Sequence, residues 1–195
     1  MPSSMLHLFV AKKIDPSASI DFYIGNIAPD AQKDRNIKAI THLRNAPDRE
    51  VALKDFARKV NSDYLKGMLL HLFVDWKWEE TVISDFAKKE GQGWYTKYNA
   101  ENTKMVSFAF HSTEWADGLW EQMEMCEDFG FSETECITKQ DVKSLISHQR
   151  KWQMENKLGS SSSFPPALID KFADSAADDF NRWWNDKKER TEYDY

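Results

Sequence analysis

The chain has 195 residues, of which 41% are hydrophobic and 13% aromatic, with a net charge of -6. That length buries a real core without disulfides, and the apolar content excludes disorder as the overall state. The acidic balance excludes a general nucleic-acid binder and argues against long polynucleotides as partners, because phosphate neutralisation needs a basic surface and no Lys/Arg cluster here exceeds a few residues.

A single domain is expected over residues 1–195, with a solvated polar tail (KKERTEYDY) from about 187. Only 7 Gly and 6 Pro punctuate long stretches rich in Leu, Ala, Lys, Glu, Met and Trp, so helix content should be high. Cys126 and Cys136 give no disulfide framework and read as reduced. The start, MPSSMLHLFVAKKI, lacks a basic region and has a short apolar run containing a histidine. It is read as neither signal peptide nor anchor, which makes a cytoplasmic location the expectation.

Ser3 or Ser4 caps a first helix, Met5 to Ile14, that carries His7 and ends at Asp15-Pro16. A second segment, Ser17 to Ile27, stops at Ala28-Pro29 and leaves Asp30 just beyond a helix end. Residues 36 to 43 carry His42. Asp48 caps a helix to about Val60, with Val51, Phe56 and Ala57 on its inner side.

From Ser62 to Lys89 the chain is nearly apolar all round between Met68 and Trp76, which predicts a central buried helix ended by Gly91 and Gly93. Further helices are expected from Thr103 to Phe129, with Asn102 or Thr103 as cap, from Thr138 to Lys157, and from Pro166 to Lys188. GSSSSFPP, between the last two, reads as a flexible loop. With no strand alternation and no internal repeat, the fold class is all-α, a multi-helix bundle.

His71 and Asp75 stand four apart on the central helix, so both leave one face and can grip one ion. Gly67, one turn earlier, leaves room for another segment to approach or for a plain helix-packing contact. A His and an Asp in an apolar helix need partners, and either a buried hydrogen-bonded pair or a metal satisfies them. Three of the five histidines fall within the first 71 residues beside acidic side chains, which favours the metal.

The ordered combination of His7, FYIGNIAPDAQKD, AITHL and GMLLHLFVDWKW resembles the zinc-dependent phospholipase C family, which is related to single-strand-specific zinc nucleases. The match covers roughly the first 80 residues. The resemblance implies a phospholipase C/nuclease-like helical fold in which Asp30, His42, His71 and Asp75 ligate one metal, with Asp75 bridging to a second held by His7. Asp30 and Asp75 are then the candidate catalytic carboxylates. The family's later His-x-x-x-Glu pair is absent, since His111 is followed by Glu114 at three residues and His148 by Trp152 at four, and Met1-Pro2 replaces the N-terminal Trp ligand of the founding enzymes. One or two ions are therefore expected rather than three. Two imidazoles and two carboxylates suit zinc, and also iron, nickel or manganese.

His111 and His148 read as ordinary helix histidines, and Glu114, Glu121 and Glu124 as solvated carboxylates or helpers of the site. The tryptophans, among them Trp76, Trp78, Trp183 and Trp184, read as core or as lining of an apolar groove. The expected function is metal-dependent hydrolysis of phosphodiesters or phosphomonoesters by a metal-activated water, with a phospholipid head group, a nucleotide or another small phosphorylated substrate as partner. The alternatives are a His/Asp-type phosphohydrolase on another helical fold, which the missing adjacent His-Asp dipeptide disfavours, and a metal-stabilised binding or sensing protein without catalysis.

Overall fold

A computed structural model describes residues 3–131 and 136–192, with side chains to residue 186. Helix makes up 74% of it, and no strand of a sheet occurs among the described residues. The polar tail continues α10 in its backbone to Glu192, and its side chains from residue 187 lie outside the described residues, as do Tyr193 to Tyr195 altogether.

Local sequence accounts for most helix starts. Ser3, Ser19, Asp48 and Ser62 each accept a backbone N–H of the first turn of α1 (Ser4–Ile14), α2 (Ile20–Ile27), α4 (Arg49–Ala57) and α5 (Asp63–Trp78). Between α2 and α4, Pro29 converts the chain to a 3-10 turn, Ala28–Ala31, and Asp34 caps the short α3 (Arg35–Thr41). Val51 is solvent-exposed rather than inward, and Leu53 and Ala57 are the buried residues of α4.

The long central segment is continuous but not uniform. α5 passes through a π-helical turn, Glu79–Ile83, into α6 (Ser84–Glu90), which Gly91 ends with φ +66°. The following segment corrects the sequence reading. α7 (Trp94–Ser112) begins nine residues before Thr103, directly after left-handed Gly93, and a break at Thr113 separates it from α8 (Ala116–Met125). The polar residues read as caps lie mid-helix, where the Thr103 hydroxyl donates to the Asn99 carbonyl at 2.8 Å. α9 (Lys139–Glu155) opens on a capping box of Thr138 and Asp141, and α10 (Pro166–Glu192) closes the chain.

The most extensive helix pairing joins α2 to α5, and α1 lies against both and against α10. Glycine makes the α2–α5 approach close. A Cβ on Gly25 would stand 2.0 Å from the Tyr64 carbonyl oxygen, and one on Gly67 2.1 Å from that of Phe22. The main core, including Leu8, Ile24, Leu69, Leu72 and Trp120, surrounds this crossing. A second cluster, with Trp78, Phe86, Tyr98 and Phe164, packs between α5, α7 and the loop before α10.

That loop, expected to be flexible, is instead tied to α7. One oxygen of the buried Glu101 carboxylate accepts from the Ser161 hydroxyl and the Ser162 and Ser163 amides at 2.8–3.0 Å. The other accepts from Lys104 at 2.8 Å. The Lys104 ammonium, working against burial and together with the Ser161, Ser163 and Ser162 donors, holds the Glu101 carboxyl at about 2.

Two outcomes follow from these contacts. Gly67→Ala should lower unfolding free energy in urea by about 2–4 kcal/mol, because backbone must move, whereas Ala at Gly118, with open space around it in α8, should raise it by about 0.5–1 kcal/mol. Glu101 has a folded pKa below its unfolded 4.5, so its stabilisation is present above that value and is lost as pH falls toward 2. The melting-temperature gap between wild type and Glu101→Gln should therefore be full at pH 6 and close progressively below pH 4.5.

Candidate metal centre

The structure brings all five side chains singled out in the sequence into one cluster. α1 supplies His7, the 3-10 turn supplies Asp30, the end of α3 supplies His42, and adjacent turns of α5 supply His71 and Asp75. His7, His42, His71 and Asp75 are fully buried, and the Asp30 side chain is 10% exposed.

Two backbone carbonyls fix the ring states. His71 Nδ1 lies 2.8 Å from the Asn26 carbonyl oxygen and His42 Nδ1 lies 2.8 Å from that of Lys38. A carbonyl only accepts, so each Nδ1 carries a proton, and on a neutral ring the Nε2 presents a lone pair. Those two Nε2 atoms face each other at 3.2 Å. Burial, then the nearby His7, push the His71 imidazole down to about 3, so at neutral pH no proton on His71 bridges them.

The carboxylates extend the same pattern. Asp75 Oδ1 lies 3.4 Å from His7 Nε2, and Oδ2 lies 3.8 Å from both His42 Nε2 and His71 Nε2. Neither Asp75 oxygen accepts a hydrogen bond, and neither nitrogen of His7 makes one, although its ring stacks on His71 at 3.9 Å. Burial drives the Asp75 carboxyl up, but the His7 contact and the surrounding imidazoles outweigh it and hold the group well below the usual carboxylate range. Asp30 Oδ1 is 3.5 Å from His42 Nε2 and 2.7 Å from Lys38 Nζ. Burial again opposes ionisation there, and His42, His71 and Lys38 overcome it.

The donor set fits a divalent metal. Four donors at about 2.0–2.1 Å from one ion in a tetrahedron stand about 3.4 Å from each other, and the cluster's spacings of 3.2–3.8 Å bracket that value. The ligand atoms fall into two overlapping groups, His7, His71 and Asp75 on one side and Asp30, His42 and His71 on the other. His71 has one nitrogen to give, since Nδ1 is spent on Asn26, so it serves one ion at a time.

Reading the sequence missed the residues that aim these ligands. Asn26 and Lys38 act through main-chain carbonyls, which no side-chain pattern reveals. Leu43, just after His42, has φ +55°, a left-handed turn that glycine favours, and its side chain packs on the core. The other candidates stand apart. His111 Nε2 donates to the Gln153 and Asn156 carbonyls, Glu121 and Glu124 pair with Arg150, and Glu114 is exposed. Trp78 donates to the Tyr98 hydroxyl inside the second core, Trp76 donates to Glu80, and Trp183 and Trp184 pack against the main core.

No family model, curated protein or solved structure matches this chain. Among the described residues, no helix is long and apolar enough to cross a membrane.

Metal should stabilise the fold by mass action, by about 2.7 kcal/mol when free metal stands at about one hundred times its dissociation constant. Zinc should raise the melting temperature of chelator-treated protein. His71→Ala should abolish that response, while His111→Ala should retain it, as followed by thermal denaturation with elemental analysis.

Proposed function

We propose that the chain is a metal-dependent hydrolase of phosphate esters, with the cluster of His7, Asp30, His42, His71 and Asp75 as its metal centre. The observation that carries this reading is the pair of imidazole Nε2 atoms 3.2 Å apart beside a buried carboxylate that accepts no hydrogen bond. A divalent cation would relieve that arrangement by taking up the imidazole nitrogens and the carboxylate together. Zinc is the first choice for the donor set, with iron, nickel and manganese compatible, in one ion or in two that share Asp75.

A metal held there supplies a water of lowered pKa and electrostatic stabilisation of charge on phosphoryl oxygens. The protein's own contribution is positional. His71 and Asp75 are rigid on α5, while Asp30 reaches the adjoining cleft and carries Lys38 beside it. The Lys38 ammonium attracts an anionic ester to the Asp30 side of the cluster. Phosphate esters as the substrate class follow from this cationic approach and from the resemblance of the N-terminal motifs to the zinc-dependent phospholipase C family.

One observation favours a second reading, a metal-stabilised binding or sensing protein without catalysis. Four of the five side chains are fully buried, and a closed site suits a structural ion, since catalytic sites keep a position for water.

Release of p-nitrophenol from p-nitrophenyl phosphate and bis-p-nitrophenyl phosphate separates the two. The hydrolase reading expects zinc- or manganese-dependent turnover that chelation abolishes, with Asp30→Asn lowering kcat by about a hundredfold or more while the protein stays folded. Full metal content, metal-dependent melting and no turnover on either ester would establish the binding protein instead.

A further inference from the structure

A cleft of about 1220 Å3 opens beside the cluster, and of the five cluster residues Asp30 lines it. Its first wall, from the segment around α3, is basic. Lys33 and Arg35 there make no ion pair among the described residues, and Lys38 pairs with Asp30. A second wall is one face of α7, on which positions 95, 98, 99, 102, 103 and 106 recur at helical spacing. A third is the face of α9 that carries positions 148, 149, 152 and 153.

The α7 and α9 walls are built mainly of aromatic rings and carboxamides, with Val106 the aliphatic side chain among them. Tyr95 is 56% exposed, and Trp94 and Trp152 are half-buried. Gln153 is 1% exposed, and its Oε1 accepts no hydrogen bond although its Nε2 donates to the Gln149 carbonyl at 3.3 Å. Asn102 Oδ1 is likewise buried and without a donor. Two orphaned acceptors are costly unless a ligand brings hydroxyl or amine donors to them.

An acyl chain would leave both acceptors unmet. A hydroxylated ring satisfies them, offers a C–H face to an aromatic side chain, and places an attached phosphate on the basic wall. We propose that this cleft is a binding site for a phosphorylated sugar, with its phosphate at Arg35 and Lys38, its hydroxyls on Asn102 and Gln153, and its ring against Trp152. The proposal deepens the phosphate-ester reading of the cluster and rests on it for hydrolysis, but not for binding.

Titration calorimetry on the zinc-loaded full chain tests it, with glucose 6-phosphate, inorganic phosphate, glucose and hexyl phosphate as probes. Glucose 6-phosphate should bind at least about tenfold more tightly than the other three, as one or two added hydrogen bonds give. Asn102→Ala and Trp152→Ala should each cut its affinity by about tenfold while leaving phosphate affinity and zinc content unchanged, and Arg35→Ala should weaken phosphate and sugar phosphate alike. Hexyl phosphate binding as tightly as glucose 6-phosphate in the wild type, a comparison that needs no variant to fold, would overturn the proposal. So would unchanged glucose 6-phosphate affinity in both Asn102→Ala and Trp152→Ala. Tight glucose 6-phosphate binding with no phosphate release from any ester would sink the hydrolase reading and leave this site standing. Ester hydrolysis without sugar preference would do the reverse.

Discussion

The close crossing of α2 and α5 is the constraint on which the rest of the molecule depends. Gly25 and Gly67 let two backbones approach to distances that any side chain would prevent. The Asn26 carbonyl can then reach His71 Nδ1. That single hydrogen bond fixes the protonated nitrogen and turns the other toward His42 and Asp75. The geometry of the cluster is therefore a consequence of helix packing, and a loosened crossing would cost the ring orientation along with the core contacts.

The buried charges give the second constraint. Asp75 is ionised in a fully buried position and accepts no hydrogen bond among the described residues, with imidazoles at 3.4–3.8 Å as its neighbours. Isolated, such a group opposes folding, and in a buried pair with His71 the imidazole would donate to it. His71 instead spends its proton on Asn26, and neither Asp75 oxygen accepts a hydrogen bond. The choice between a buried pair and a cation site, open on sequence alone, turns on that proton.

How far the sequence was legible follows the range of the interactions involved. Caps at Ser3, Asp48, Ser62 and Thr138 depend on neighbours within three residues, and the pattern at those positions locates the helix starts. The members of the cluster were legible because His71 and Asp75 share a helix face and the earlier residues stand in an ordered motif. The start of α7 was not, because Asn102 and Thr103 imitate caps while the helix is set by Gly93 and by Tyr98 packing in the second core. The Glu101 anchor of the serine loop spans about 60 residues of sequence and has no local signature. Asn102 and Gln153 likewise become a shared feature only when α7 and α9 come together around the cleft.

The two halves of the cluster differ in how firmly they are held. His71 and Asp75 belong to a helix with eleven buried residues, whereas α3, which delivers His42, buries none within its span. Short, exposed elements open at low free energy, while packed helices open only with the whole domain. Lys38 ties the soft half together, since its carbonyl accepts from His42 Nδ1 and its ammonium pairs with Asp30. A cation coordinated by both halves would staple α3 to α5 and order the basic wall of the cleft in the same event. On the proposed reading, metal binding and the shaping of the basic wall would be one physical process, because Asp30 and His42 flank the same short segment that carries Lys33, Arg35 and Lys38.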